Sequence, residues 1–80
     1  MLDIKSLIDF VIDEIKKIKN FNGDDSLFIY KDLDLEYIDI LSIILYTETK
    51  FLIHIQDDIE IALNKDMSIR DLCNNILNNH

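Results

Sequence analysis

The chain has 80 residues and a formal net charge of −8; 49% of its residues are hydrophobic, and it has one glycine and no proline. A chain of this length forms one small domain, residues 1–80, and the scarcity of glycine and proline favours a helical bundle over a sandwich or barrel. The apolar stretches are too short for a membrane span, and the acidic balance disfavours nucleic acid, whose phosphates are also negative. The amino-terminal segment has no basic region followed by an apolar one, so we expect a cytoplasmic protein.

The first predicted helix follows Asp3, a suitable N-cap residue. Its apolar residues recur at three- and four-residue steps and predict one buried face: Ile4, Leu7, Ile8, Val11, Ile12, Ile15 and Ile18. The turn-forming residues between Asn20 and Ser26 should end this helix. The segment from Leu27 to Leu35 has no regular period, so we expect a long loop that its apolar residues fasten to the core.

Three more helical segments are predicted: Glu36 to Lys50, a short turn from Asp57 to Ala62, and a last helix after Ser68. Ser68 and Asp71 have the spacing of a capping box. The apolar residues of the second helix spread around most of its circumference, which is wider than the single stripe that a small bundle needs. Some of them should therefore be exposed or covered by a partner; the alternative is that they only fill the core.

The negative charge is concentrated in the middle of the chain. Acidic and basic residues are equal in number in residues 1–20 and again in 61–80, whereas residues 24–60 contain ten acids against Lys31 and Lys50. Complementary charge speeds the encounter of two proteins, so we expect the partner to be a basic surface of an enzyme or scaffold protein. The alternative is that the acids only keep the bundle soluble. We expect a monomer when the protein is free.

Residues that carry catalysis or bind metals are sparse. Cys73 has apolar neighbours at helical spacing and should lie in the core, His54 should lie in a loop or at a helix end, and His80 belongs to the polar carboxyl-terminal tail. A metal site needs several convergent ligands, and an enzyme needs a nucleophile or base with an orienting group. The spacing predicts neither, so we expect no metal site and no enzymatic activity.

The segment from Lys31 to Leu41 resembles the prosthetic-group segment of acyl and peptidyl carrier proteins, which reads Asp-Leu-Gly-x-Asp-Ser-Leu/Ile-Asp and leads into an amphipathic helix. Asp32-Leu33 matches the Asp-Leu pair, and Ser68-Ile69 matches the Thr-Val pair of the last helix. Further residues fall on the pattern of the family's second helix: Ile38, Asp39, Leu41, Ile43, Leu45, Glu48 and Phe51. The resemblance covers nearly the whole chain and implies an all-α, acyl-carrier-protein-like bundle of three main helices plus one short helix.

Three departures from this pattern bear on chemistry. Asp34 stands where the family has glycine, Glu36-Tyr37 replaces Asp-Ser, and Gln56 replaces proline. The family's serine accepts phosphopantetheine from coenzyme A, and a transferase site built for that short side chain would have to hold the pyrophosphate elsewhere to reach a phenol. Asp34 also adds a like charge near the expected phosphodiester. We therefore expect no cofactor, with 4'-phosphopantetheine as the alternative.

Two serines elsewhere are weak candidates for the attachment site. Asp25-Ser26-Leu27 spells the family's short motif but precedes no amphipathic helix in the required register. Ser42 lies inside the apolar run of the second helix, where a hydroxyl faces solvent or bonds to the preceding turn. Neither is expected to be modified.

The resemblance and its departures predict an acyl-carrier-protein-like domain that lacks phosphopantetheine. It would act as a non-catalytic binding or regulatory partner of a fatty-acid, polyketide or peptide biosynthetic enzyme. The alternative is a working acyl or peptidyl carrier protein with an atypical attachment site. Tyr37 should lie at the start of the second helix with its side chain partly exposed. The residues expected to contact the partner are Glu36, Tyr37, Ile38, Asp39, Leu41, Leu45, Glu48, Asp57 and Asp58.

Overall fold

The helices begin and end close to the predicted positions. The computed structural model describes residues 2–80, and its helices are α1 (Ile4–Ile18), α2 (Tyr37–Phe51), α3 (Asp58–Leu63) and α4 (Ile69–Asn78). Residues 2–80 contain no extended strand; one isolated β-bridge joins Phe28 to Ser68. The all-helical class predicted from the sequence is confirmed for this part of the chain.

Side chains near the helix starts accept hydrogen bonds from the backbone N–H groups that have no partner inside the helix. The Asp3 carboxylate accepts from the backbone N–H of Ser6 at 2.8 Å and caps α1. At α4, the Ser68 hydroxyl accepts from the N–H of Asp71 at 3.1 Å, and the Asp71 carboxylate accepts from the N–H of Ser68 at 3.0 Å. The predicted cap of α1 and the predicted capping box of α4 are both confirmed.

The core lies between α1, α2 and α4, with α3 closing one side against α2 and α4. Packing is reinforced between α1 and α2 by Phe10 and Phe51, whose rings meet edge to face with centroids 5.5 Å apart. The largest fully buried side chains come from every helix except α3 and from the connecting segments: Leu7, Val11, Ile15, Ile29, Ile40, Ile43, Ile44, Ile55, Met67, Ile69, Leu72 and Ile76.

The long segment between α1 and α2 is fastened to the core, as the sequence predicts. Its apolar residues Ile29, Leu33 and Leu35 are buried. The N–H of Ile29 donates to the carbonyl of Met67 at 3.0 Å, and the N–H of Ile69 donates to the carbonyl of Leu27 at 2.9 Å. These bonds hold the loop against the start of α4, and the loop leads directly into α2.

Candidate functional site on helix α2

Large aliphatic side chains lie exposed along the outer side of α2. Ile38 is 59% exposed, Leu45 is 54% exposed, and Leu52, the residue that ends the helix, is 90% exposed. Ile38 and Leu45, seven positions apart, are nearly two helical turns apart and follow one line along the helix, and Leu52 lies just beyond the helix end with a left-handed backbone. The opposite face of α2 buries Ile40, Ile43, Ile44 and Thr47. We call Ile38, Leu45 and Leu52 the outer stripe.

The outer stripe confirms that the apolar residues of α2 exceed what the core takes up. Leu41 lies on the flank of the stripe and is half-buried against the core. Singly exposed aliphatic residues are common on protein surfaces, whereas a row along one helix marks a surface suited to covering by another molecule.

Tyr37 is the first residue of α2, and its side chain is half-buried against the core. Both features agree with the sequence prediction. Tyr30 is close by: burial raises the pKa of the Tyr30 phenol, and the charges of Tyr37 and Asp39 raise it further. The hydroxyl of Tyr30 donates to the carbonyl of Ala62 at the carboxyl end of α3. The hydrogen bond of Tyr30 therefore links the long loop to α3.

The acidic residues predicted to contact a partner have different surroundings. Glu36 and Asp57 are exposed, and Asp58 is half-buried. The carboxylate of Asp39 accepts from the backbone N–H of Glu36 at 3.0 Å and so stabilises the first turn of α2. Of this set, Glu36 and Asp57 therefore have the side chains most accessible to a basic surface.

Glu48 has a structural role that the sequence did not reveal. Its side chain is only 19% exposed, and its carboxylate accepts from the backbone N–H of Ile55 at 2.7 Å. The same carboxylate lies 3.3 Å from Nδ1 of His54, whose own side chain is exposed. Glu48 thus holds the connection between α2 and α3, because the chain reverses after α2 and brings Ile55 back to the helix flank.

The acids of residues 24–60 do not all face the same way. The carboxylate of Asp25 lies 2.7 Å from Nε of Arg70, and the N–H of Arg70 donates to the carbonyl of Asp25 at 2.9 Å. Asp24 accepts from the backbone N–H of Ser26 at 2.9 Å. These two acids lie at the start of α4, so part of the excess acidic charge of residues 24–60 is away from α2. The acids at Glu36 and in residues 57–60 remain with α2 and α3.

Among residues 2–80, three non-glycine residues have left-handed backbone conformations, and they adjoin α2 and α3. Asp34 (φ 52°) precedes α2, Leu52 (φ 56°) ends it, and Asp57 (φ 58°) precedes α3. Aspartate tolerates this conformation comparatively well, whereas a residue such as leucine loses about 1–2 kcal/mol in it. Glycine is the usual residue at a helix end of this kind. Leu52 is therefore strained, and because its side chain is exposed it gains little packing in return.

The cysteine and the two serines considered above are not grouped into a reactive site. Cys73 is fully buried, and burial raises the pKa of its thiol to about 12, so it is held as a neutral core residue. Ser26 is exposed, and its hydroxyl bonds to Asp24. Ser42 is half-buried on α2.

In the part of the chain from residue 2 onward, no three His, Cys, Asp or Glu side chains are grouped to hold a metal ion. None of the helices among the described residues is long and apolar enough to cross a bilayer.

One cavity lies away from the outer stripe. It has a volume of about 300 Å³ and is an open groove along α1, with Ile4, Ile8 and Ile12 on its apolar side and the Asp25–Arg70 pair at its edge. None of the residues predicted to contact a partner lines it.

Comparison of the chain with family models, curated proteins and solved structures finds no match. The strongest candidate for a functional surface is therefore the outer stripe with the acids around it.

Proposed function

We propose that this chain is an acyl-carrier-protein-like domain that lacks phosphopantetheine. It acts as a non-catalytic binding or regulatory partner of a fatty-acid, polyketide or peptide biosynthetic enzyme. The observation that carries the proposal is the outer face of α2, where exposed aliphatic residues lie along the helix and Tyr37 stands at its start. Covering apolar surface contributes about 25 cal/mol for each Å² removed from water, so this face favours a protein partner.

The backbone around α2 supports the resemblance to carrier proteins. Asp34 stands at the position where those proteins have glycine, and its φ of 52° is a conformation that favours glycine. Tyr37 begins α2, as the family's attachment serine begins its second helix. Ser68-Ile69 begins the last helix, as the resemblance predicts. These agreements concern backbone geometry, which the side-chain departures leave intact.

The side chain of Tyr37 argues against loading with phosphopantetheine. A phenol extends further from the backbone than a serine hydroxyl, and misplacement of a reacting group by about 1 Å can slow a reaction about 100-fold. Tyr37 is also half-buried against the core, which restricts its reach. The domain would therefore present a carrier-like surface without the group that holds an acyl chain.

The charge near α2 and α3 indicates the nature of the partner. Glu36 is exposed at the start of α2, and Asp57 and Glu60 are exposed at α3. A basic protein surface would be attracted to this side of the molecule, and the attraction would weaken as salt is added. A positioning or regulatory subunit needs such a surface and no catalytic group of its own.

The first test is the intact mass of the protein after incubation with coenzyme A and a broad-specificity phosphopantetheinyl transferase, measured beside the Tyr37→Ser variant. We expect no mass gain for the natural protein and the gain of one phosphopantetheine group for the variant. A matched control, Tyr37→Ala, removes the phenol without supplying a serine hydroxyl and should remain unmodified.

Two outcomes would change the proposal. Modification of the natural protein would favour the alternative, a working carrier with an atypical attachment site, and the variants Ser26→Ala and Ser42→Ala would then locate the site. If neither the natural protein nor Tyr37→Ser gained mass, transferases would not recognise this surface. The resemblance to carrier proteins would then not extend to function.

A further inference from the structure

We propose that Leu52 is the anchor residue for a cationic amphipathic helix of the partner protein, which lies along the outer stripe. This proposal rests on the function proposed above in one respect, that the outer face of α2 is a binding surface. Beyond that function, it specifies a cationic helix as the partner and Leu52 as the residue that contributes most to the affinity between the two proteins.

The conformation of Leu52 is the first observation. Leu52 has φ 56° and ψ 48°, ends α2, and is 90% exposed. Glycine at this position would remove the strain and would lose little burial in the free protein. Strained backbone persists where the surrounding structure enforces it, and it clusters at functional sites. A large aliphatic side chain here serves the free protein poorly and is well placed to enter a pocket on another molecule.

The spacing along α2 indicates that the partner is a helix. Ile38, Leu45 and Leu52 repeat every seven residues. Ile38 and Leu45 lie on one line of α2, and Leu52 extends the row just beyond the helix end to a length of about 20 Å, which a partner helix of about 14 residues can cover. Ile59 and Leu63 on the neighbouring α3 are also exposed, and they lie one turn apart. They add exposed apolar surface on a helix that packs against α2.

The surrounding charge indicates a cationic partner. Glu36 is exposed near one end of the outer stripe, and the exposed acids Asp57 and Glu60 follow Leu52 within eight residues and outnumber the exposed Lys50 just before it. A helix with lysine or arginine beside its apolar face would satisfy both the stripe and these acids. A second copy of this chain would bring two acidic faces together, since each copy has a net charge of −8, and repulsion opposes that pairing.

The test uses the full chain and a dye-labelled synthetic amphipathic helix with leucine on one face and lysine on the other, and measures fluorescence anisotropy. A second peptide has the same leucine face with glutamate in place of lysine. We expect the leucine–lysine peptide to bind, to bind more weakly as salt is added, and to bind much better than the leucine–glutamate peptide.

Two substitutions at Leu52 separate the side chain from the backbone strain. Leu52→Gly removes both, and Leu52→Ala removes the side chain while keeping a Cβ atom in the left-handed conformation. Both should lower the affinity for the leucine–lysine peptide about tenfold or more, because a buried leucine contributes at least this much. Leu52→Gly should also raise the melting temperature by about 4 °C, so its loss of binding is not a loss of folding.

The matched control is Ile18→Ala. Ile18 is an exposed aliphatic residue at the end of α1, where it is 45% exposed, and it lies outside the outer stripe. Its substitution should leave peptide binding unchanged. If Ile18→Ala weakened binding as much as Leu52→Ala, the peptide would be recognising exposed apolar residues in general.

Several results would overturn the proposal. These are unchanged affinity of Leu52→Gly, equal binding of the two peptides, and no binding at a peptide concentration of ~1 mM. A concentration-dependent dimer of the free protein, lost in Leu52→Gly, would identify the occupant as a second copy of the chain. The two proposals fail separately: a Tyr37→Ser variant that is loaded by the transferase, with no peptide binding, would leave the carrier-like surface and reject the helical partner.

Discussion

Removing the carboxylate of Glu48 should weaken the connection between α2 and α3. In Glu48→Ala the N–H of the buried residue Ile55 loses an acceptor that lies 2.7 Å away. A hydrogen bond to a charged group contributes about 1.5–3 kcal/mol, and the remaining exposure of Glu48 allows water to replace part of it. We therefore expect the free energy of unfolding to fall by about 2 kcal/mol, which lowers the melting temperature by roughly 10 °C in a domain of this size.

Urea denaturation would measure this change, and amide hydrogen exchange would locate it. Exchange of the Ile55 amide should be faster in Glu48→Ala than in the natural protein. Glu48→Gln keeps an oxygen acceptor and should lose less stability. Glu60→Ala removes the same charge from an exposed position on α3 and should change stability by less than about 0.5 kcal/mol.

His54 offers a way to refute this reasoning. Its side chain is 85% exposed, so its contact with Glu48 should contribute little, and His54→Ala should change the free energy of unfolding by less than about 0.5 kcal/mol. If His54→Ala were as destabilising as Glu48→Ala, the contact between His54 and Glu48 and not the backbone hydrogen bond would hold the connection. If Glu48→Ala were as stable as the natural protein, the carboxylate would be free to contact a partner.

Two further predictions concern titratable groups. Cys73 should react very slowly with a thiol reagent at about pH 8 and rapidly once urea unfolds the chain, because it is buried and its thiol pKa is raised to about 12; fast reaction of the folded protein would contradict this. The hydrogen bond from the Ser6 N–H lowers the pKa of Asp3 below 3.8, its value when unfolded. Its contribution to stability is therefore present above that pH and is lost as the pH falls through the lower folded value. Asp3→Asn keeps a capping oxygen without this titration, so unfolding measured between about pH 6 and pH 2 should show a smaller acid-induced loss; equal losses would contradict the assignment.

Features determined by neighbouring residues could be predicted from the sequence. The apolar period of α1 and the spacing of Ser68 and Asp71 are local patterns, and both led to correct helices. The exposed part of α2 also followed from its pattern, since a helix that is apolar on most sides cannot bury all of them in a small bundle. Local sequence therefore accounts for the elements and for much of the candidate surface.

Features that depend on how distant segments meet were missed. The contact of Glu48 with the Ile55 N–H depends on how the chain reverses after α2. The pairing of Asp25 with Arg70 depends on the long loop lying against α4, and it moved part of the acidic charge away from α2. The left-handed backbone at Leu52 could not be predicted either, because glycine and asparagine are the residues that usually signal it.

Contacts at both ends of α2 prepare its outer face for binding. At the start, the carboxylate of Asp39 accepts from the N–H of Glu36, and at the end the carboxylate of Glu48 accepts from the N–H of Ile55. A surface that is already ordered loses less conformational entropy when a partner binds. These two acids therefore support binding by fixing the helix, and Glu36 and Asp57 are left to attract a basic surface.

Leu52 differs from the other two residues that have a left-handed backbone. Asp34 and Asp57 have side chains that tolerate left-handed backbone, so the fold alone accounts for them. Leu52 has neither a tolerant side chain nor a buried one. A domain of this size has a free energy of unfolding of only about 5–10 kcal/mol, and a strain of about 1 kcal/mol is a substantial part of it. A leucine at that position is explained if its side chain contributes to a complex. Leu52→Gly should therefore raise the stability of the free protein and weaken its binding.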